Sequence, residues 1–224
     1  DDKRKIPTAY YNLKSGVAFA IINHPKKYSY DNLNGYENSD GLKIGVLGMG
    51  IATLSTYLDQ SDKIIYYELD PDVVEIAKEY FSFLTDTKSN YHVVVGDARI
   101  SLEREFKNGG AQNFDILVMD AFIGDAPPLH LLTEEAFNLY WSHLKHDGIL
   151  AIHITNRYID FRPQILGWAK KYGKQFLQID SKEETKNWVS DSSWVLVTSN
   201  EKFLNDPKVK IKLRNSTIRL SKDK

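Results

Sequence analysis

Four apolar runs in this chain carry a glycine or an acid at or near their last residue. "KIGVLGMG" (43–50) holds Gly45, Gly48 and Gly50. "KIIYYEL" (63–69) holds Glu68, "YHVVVGD" (91–97) ends on Asp97, and "FDILVMDAF" (114–122) holds Asp120. Glycine is weak inside a strand or helix, so three of them in an apolar run point to φ > 0 or to a ligand touching the backbone. A carboxylate can accept two hydrogen bonds from a ribose diol. Glu68 follows Gly48 at about the twenty-residue spacing that places an acid on a ribose. Asp97 can accept from the exocyclic amine of adenine, cap the helix that follows, or do both. Asp120 suits a group that orients a cationic amine or takes a proton from it. Asp125, in the Gly/Pro loop beyond, is either a second pocket charge or a solvated one.

These acids need a scaffold that brings strand ends together. "KIGVLG" (43–48) reads as a buried strand followed by a helix over about 51–58. A second strand covers 63–69, and Asp70 and Pro71 open a helix as cap and first residue. A third strand spans 91–97, with a short helix near 99–106. A fourth spans 114–122, and Thr133 caps a helix over 133–144. A fifth strand spans 148–155, a helix follows over 161–173, and "KQFLQID" and "SSWVLVTS" close the set. Alternation of helices with continuously apolar strands predicts an α/β fold: a doubly wound, mostly parallel, seven-stranded sheet covered on both faces. The two closing strands, with no clear helix between them, predict an antiparallel edge. Residues 1–40 read as an N-terminal extension and linker, 41–200 as the nucleoside-binding domain, and 201–224 as a basic tail whose alternation suggests an exposed edge strand.

Composition narrows the classes. The 224 residues are 42% hydrophobic and 26% charged with a net charge of −1, which gives no push toward nucleic acid or anionic membrane. No cysteine is present, so disulfides, thiolate metal sites and a cysteine nucleophile are excluded. The six histidines have no metal-ligand spacing. There is no Walker loop and no nucleophile elbow. No run reaches the roughly 18 apolar residues of a membrane span, and "DDKRKIPTAYY" does not read as a signal peptide. The expected place is cytoplasmic. The first residue, Asp1, leaves an upstream part, including a membrane region, open.

Two nucleotide classes fit the glycines. A dinucleotide site wants a third glycine where Thr53 stands and a helix N-terminus for its pyrophosphate. A sulfonium nucleoside of the S-adenosylmethionine type has no phosphate and carries positive charge. The series Glu68, Asp97, Asp120 favours the second.

The order "GVLGMG … YYELDP … VVVGDAR … ILVMDAFIGDAPPLHLLTEEAF … LKHDGILAIHITN" resembles the polyamine aminopropyltransferases, the spermidine synthase family, over roughly residues 8–200. It is most similar to a bacterial branch whose domain often follows membrane helices, at the cytoplasmic face. The resemblance implies the class I S-adenosylmethionine-dependent transferase fold. It also implies transfer of an aminopropyl group from decarboxylated S-adenosylmethionine to a small-molecule amine such as putrescine, without a metal, and it leaves room for a homodimer. By the same comparison Gly48 and Gly50 cradle the nucleoside, Glu68 binds the ribose, Asp97 with Ala98 lies by the adenine, and Asp120 is the catalytic acid/base. Tyr10 or Tyr11 of "TAYYNLKSG" reaches the site, with Tyr11, Asp125 and His130 on the substrate side. The chain departs from the family at three places. Ile51 stands where the family's loop has an Asp, Asp125 is displaced by two residues from the second Asp, and most of the N-terminal β-hairpin domain is missing. A methyltransferase using intact S-adenosylmethionine on a small molecule and a non-catalytic nucleoside-binding domain are the alternatives. His130 and His153 each read as pocket-lining or as plain packing. One of Asn156, Arg157 and Tyr158 is expected at the substrate.

Overall fold

The computed structural model describes residues 2–28, 41–122, 127–156, 159–184 and 188–222. Among these, β1 (Lys43–Leu47), β2 (Lys63–Glu68), β3 (Asn90–Val95), β4 (Phe114–Met119), β5 (Leu144–His153), β6 (Gln175–Ser181) and β7 (Ser192–Thr198) form one sheet in the order β3-β2-β1-β4-β5-β7-β6. The pairs from β3 through β5 are parallel, and β7 runs antiparallel to both β5 and β6. The antiparallel strand is therefore inserted next to the edge rather than lying on it.

The helices are α1 (Gly16–Ile22), α2 (Pro25–Tyr28), α3 (Pro71–Tyr80), α4 (Phe83–Asp86), α5 (Ala98–Gly109), α6 (Glu134–His143), α7 (Arg162–Lys171), α8 (Glu201–Asn205) and α9 (Pro207–Lys222). None of the described helices is long and apolar enough to cross a membrane. Side chains alternate across a strand, so β4 feeds two cores. Ile116 and Val118 join a cluster with Ile44, Tyr66 and Ile21 on one face. Leu117 and Met119 join Leu47, Phe137 and Tyr140 on the other. This double burial is why β1 and β4 read as unbroken apolar runs.

Two segments differ from the sequence reading. The tail forms α8 and α9, not an edge strand. Val209, Leu213 and Ser216 recur at helical spacing, and Val209 and Ser216 are buried. The Ser216 hydroxyl accepts from the Gln178 amide and faces the Gln178 carbonyl, each at 2.9 Å, which satisfies open edge groups of β6. The helix expected over 51–58 is a short 3-10 helix, Thr53–Tyr57, entered through Ala52 at φ 61°.

The N-terminal stretch packs on the same sheet. Ser15 caps α1 by accepting from the Ala18 amide, and α1 lies so close to β7 that a Cβ on Gly16 would sit 2.3 Å from the Trp194 Cβ. His24, just beyond α1, is buried, and desolvation lowers its pKa from 6.5 to about 4.

Two outcomes are expected. Gly16→Ala overpacks the α1–β7 contact and destabilises the fold by about 2 kcal/mol in urea unfolding. Because the His24 pKa is lower in the folded chain, the unfolded chain binds the extra proton. Its contribution is thus intact above pH 6.5 and lost as pH falls toward about 4. Unfolding curves across that range should flatten in His24→Gln.

Candidate active site

Strand order reverses between β1 and β4, and ligands of open α/β sheets bind beyond the strand tips at such a point. A cavity of about 800 Å³ opens there. Gly48, Gly50, Glu68, Asp97, Ala98, Asp120, Tyr11 and His130 all line it, as does Tyr10. Asp125, Arg157 and Tyr158 lie outside the described residues.

The glycines serve different ends. Gly48 has φ +91°, and a Cβ on it would fall 2.6 Å from the Asp120 carbonyl oxygen. Its amide donates to the Tyr67 carbonyl at 2.8 Å, and the Asp120 amide donates to the Leu47 carbonyl at 2.9 Å. The missing side chain at Gly48 is thus demanded by the neighbouring strand tip. Gly50 has φ +50°, and a Cβ there would meet only the Tyr11 hydroxyl, at 4.0 Å. Glu68 closes this turn: Oε2 accepts from the Met49 amide at 2.8 Å, and Oε1 from the Asp70 amide at 3.1 Å. A carboxylate on the glycine turn and a 3-10 helix of five residues behind it make a poor seat for a pyrophosphate, which wants free amides at a helix N-terminus.

Asp97 takes the capping role and also meets a neighbouring histidine. Oδ1 caps α5 by accepting from the Ile100 amide at 2.9 Å, and Oδ2 lies 3.0 Å from His130 Nε2. His130 belongs to a 3-10 turn, Leu129–Leu132, held by Arg99, which donates to the His130 carbonyl at 2.9 Å. Asp120 is buried. It faces His153 Nδ1 at 2.7 Å. Burial first, and the Asp120 charge second, push the Tyr11 pKa well above its ordinary value, so the phenol keeps its proton. The Tyr11 backbone is placed by the Tyr57 hydroxyl bond to its carbonyl. Nearby, the Ala9 amide donates to the Trp188 carbonyl at 2.7 Å.

Sequence reasoning missed Phe122, Thr155, Ser190 and Asp191, which also line the cavity. His153 and Thr155 share a face through the period of two, and that spacing was the available signal. Ser190 and Asp191 come from the β6–β7 connection, where no pattern marks them. Among the described lining residues there are four carboxylates (Glu68, Asp97, Asp120, Asp191) and no lysine or arginine. The cavity therefore favours cationic ligands and disfavours phosphates.

The sheet and its covering helices define a Rossmann-like fold of the S-adenosylmethionine-dependent methyltransferase type. A probable spermidine synthase from Corynebacterium glutamicum superposes with a TM-score of 0.59 at 19% identity, over 82% of this chain and 65% of that one. Human methyltransferase-like protein 13, solved with SAH, gives 0.57 at 18% identity over 78% and 82%. No protein-family model matches the chain. Among curated proteins, a polyamine aminopropyltransferase of Vibrio vulnificus is 32% identical over 109 residues, 49% of this chain and 35% of its own. An N-terminal histidine N-methyltransferase of Emericella nidulans is 31% identical over 109 residues, 48% of this chain and 19% of its own. The matched regions are thus about a third and a fifth of those relatives.

The two glycines should respond differently to alanine. Gly50→Ala meets no neighbour and carries only the left-handed backbone cost, about 1 kcal/mol. Gly48→Ala must also displace the tip of β4 and should cost about 3 kcal/mol. Urea unfolding of both variants checks the difference.

Proposed function

We propose that this chain is an aminopropyltransferase-like enzyme that joins the aminopropyl group of decarboxylated S-adenosylmethionine to a small amine such as putrescine. The observation that carries the reading is the acidic cavity: four carboxylates and, among the described lining residues, no lysine or arginine. A sulfonium donor and an ammonium acceptor are both cationic. A donor that keeps its carboxylate would meet repulsion there, which favours the decarboxylated form over the intact one. The 32% identity to the Vibrio vulnificus aminopropyltransferase points the same way.

In this reading Glu68, held on the glycine turn, keeps lone pairs for the ribose hydroxyls, and Asp97 with Ala98 lies beside the adenine. A sulfonium donor supplies an activated carbon and a neutral thioether leaving group. Asp120 takes the proton of the incoming ammonium, so the nitrogen lone pair is free to form the new N–C bond. The rest is positioning by Tyr11, His130 and the cavity walls, with Asp125 proposed on the substrate side.

Methyl transfer from intact S-adenosylmethionine to an amine is the second reading. Ile51, in place of an acid that would hold the aminopropyl end, favours it, and so does the Emericella nidulans N-methyltransferase. A binding domain without turnover is the third.

Calorimetry with S-adenosylmethionine, its decarboxylated form and methylthioadenosine, followed by a product screen over amines, separates the three. Preference for the decarboxylated donor and an aminopropylated product are expected. Preference for the intact donor would move the assignment to methyl transfer, and binding without any product to the third reading. Glu68→Gln keeps an oxygen for the Met49 amide and should weaken nucleoside binding about tenfold, by some 1.4 kcal/mol. Asp120→Asn should bind the donor normally and lose about 100-fold or more in turnover. Unchanged nucleoside affinity in the Glu68 variant would refute the ribose assignment.

A further inference from the structure

Asp120 is one end of a restrained chain of polar groups. Its Oδ1 and His153 Nδ1 are 2.7 Å apart, and both side chains are 5% exposed. The opposite ring nitrogen, Nε2, lies 2.7 Å from Thr155 Oγ1. That oxygen in turn accepts from the Ser193 amide at 2.9 Å. The Trp194 indole stacks on the imidazole with centroids 4.3 Å apart and planes 4° from parallel. Phe122 meets the ring edge-on at 4.9 Å, and Tyr10 closes a third side at 5.4 Å.

The protons follow from the partners. An ionised carboxylate offers only lone pairs, so Nδ1 carries the hydrogen toward Asp120. In the neutral ring Nε2 then holds a lone pair. The Thr155 oxygen is already an acceptor for Ser193, and its own hydrogen is free to point at Nε2. One ring nitrogen's partner thus sets the state of the other.

We infer that His153 is a positioning residue for Asp120: as the neutral Nδ1–H tautomer it holds Oδ1, and it leaves the remaining lone pairs of the carboxylate to the acceptor amine. This rests on the reading of Asp120 as the group that receives the amine's proton. As the N–C bond forms, the C–S bond breaks with its electron pair going to sulfur, and the proton lost by the ammonium ends on Asp120. His153 keeps its own proton throughout. Its work is to stop the carboxylate from swinging, since a displacement of about 1 Å can cost about 100-fold.

The test uses the full chain. His153→Phe preserves an aromatic ring on Trp194 and removes the N–H donor. His153→Asn removes the ring and keeps an N–H near the Nδ1 position. With decarboxylated S-adenosylmethionine and 1,4-diaminobutane, His153→Phe should lower kcat about 100-fold with donor affinity unchanged, and His153→Asn should recover to within about tenfold of wild type. The opposite ranking, Phe active and Asn inactive, would show that the ring only packs and would overturn the inference. Nitrogen-15 NMR of labelled histidine, with the His153 signals identified by their loss in His153→Asn, should show Nδ1 protonated and Nε2 bare. A ring protonated at Nε2 or at both nitrogens would overturn it. The spectrum needs no turnover: a wild type inactive on every amine sinks the transfer reading, and the tautomer still decides whether His153 holds Asp120 as described.

Discussion

The tips of β1 and β4 come together where the strand order reverses, and the cavity is built outward from that contact. Gly48 has no side chain because the Asp120 carbonyl occupies the space one would need. The amide of Asp120 is tied to Leu47 and that of Gly48 to Tyr67, so three strand tips are locked at one level. This locking makes Asp120 a carboxylate with a fixed origin. A bulkier turn would part the strands and send the acid elsewhere. The open space beside Gly50, by contrast, is left on the cavity side.

Charge then decides what the cavity can hold. Glu68 spends one lone pair on the Met49 amide, and Asp97 spends one on capping α5. Both carboxylates serve the fold and keep acceptor capacity for a ligand. An arrangement that takes amides away from the glycine turn and puts carboxylates there reverses the usual logic of phosphate cradles. The same alternation of strands and helices therefore carries a different ligand chemistry, set by a few side chains at its tips.

The strands were legible because β1 and β4 are buried on both faces, and nothing but an apolar run survives there. The acids at their ends were legible because polar residues at strand tips interrupt those runs. Other features depend on tertiary contact. The tail alternates like a strand, but Val209, Leu213 and Ser216 answer to the sheet they lie on, so α9 forms. Ala52 in the left-handed region spoils the start of an α-helix after Gly50, which no motif announces. The insertion of β7 between β5 and β6 is a matter of pairing that local pattern does not record. His153 was read with packing as one of its two options, and its hydrogen bonds to Asp120 and Thr155 exist only once β4, β5 and β7 are side by side.

The Gly16–Trp194 contact ties the beginning of the chain to this arrangement. Helix α1 rests on the backbone side of Trp194, the indole of Trp194 lies flat on His153, and His153 grips Asp120. Four groups far apart in sequence form a single column from the sheet's cover to the Asp120 carboxylate. Loosening of the leading helix would reach the acid as lost aim while the sheet stayed intact. Any activity that depends on the aim of Asp120 would then fade on warming ahead of cooperative melting.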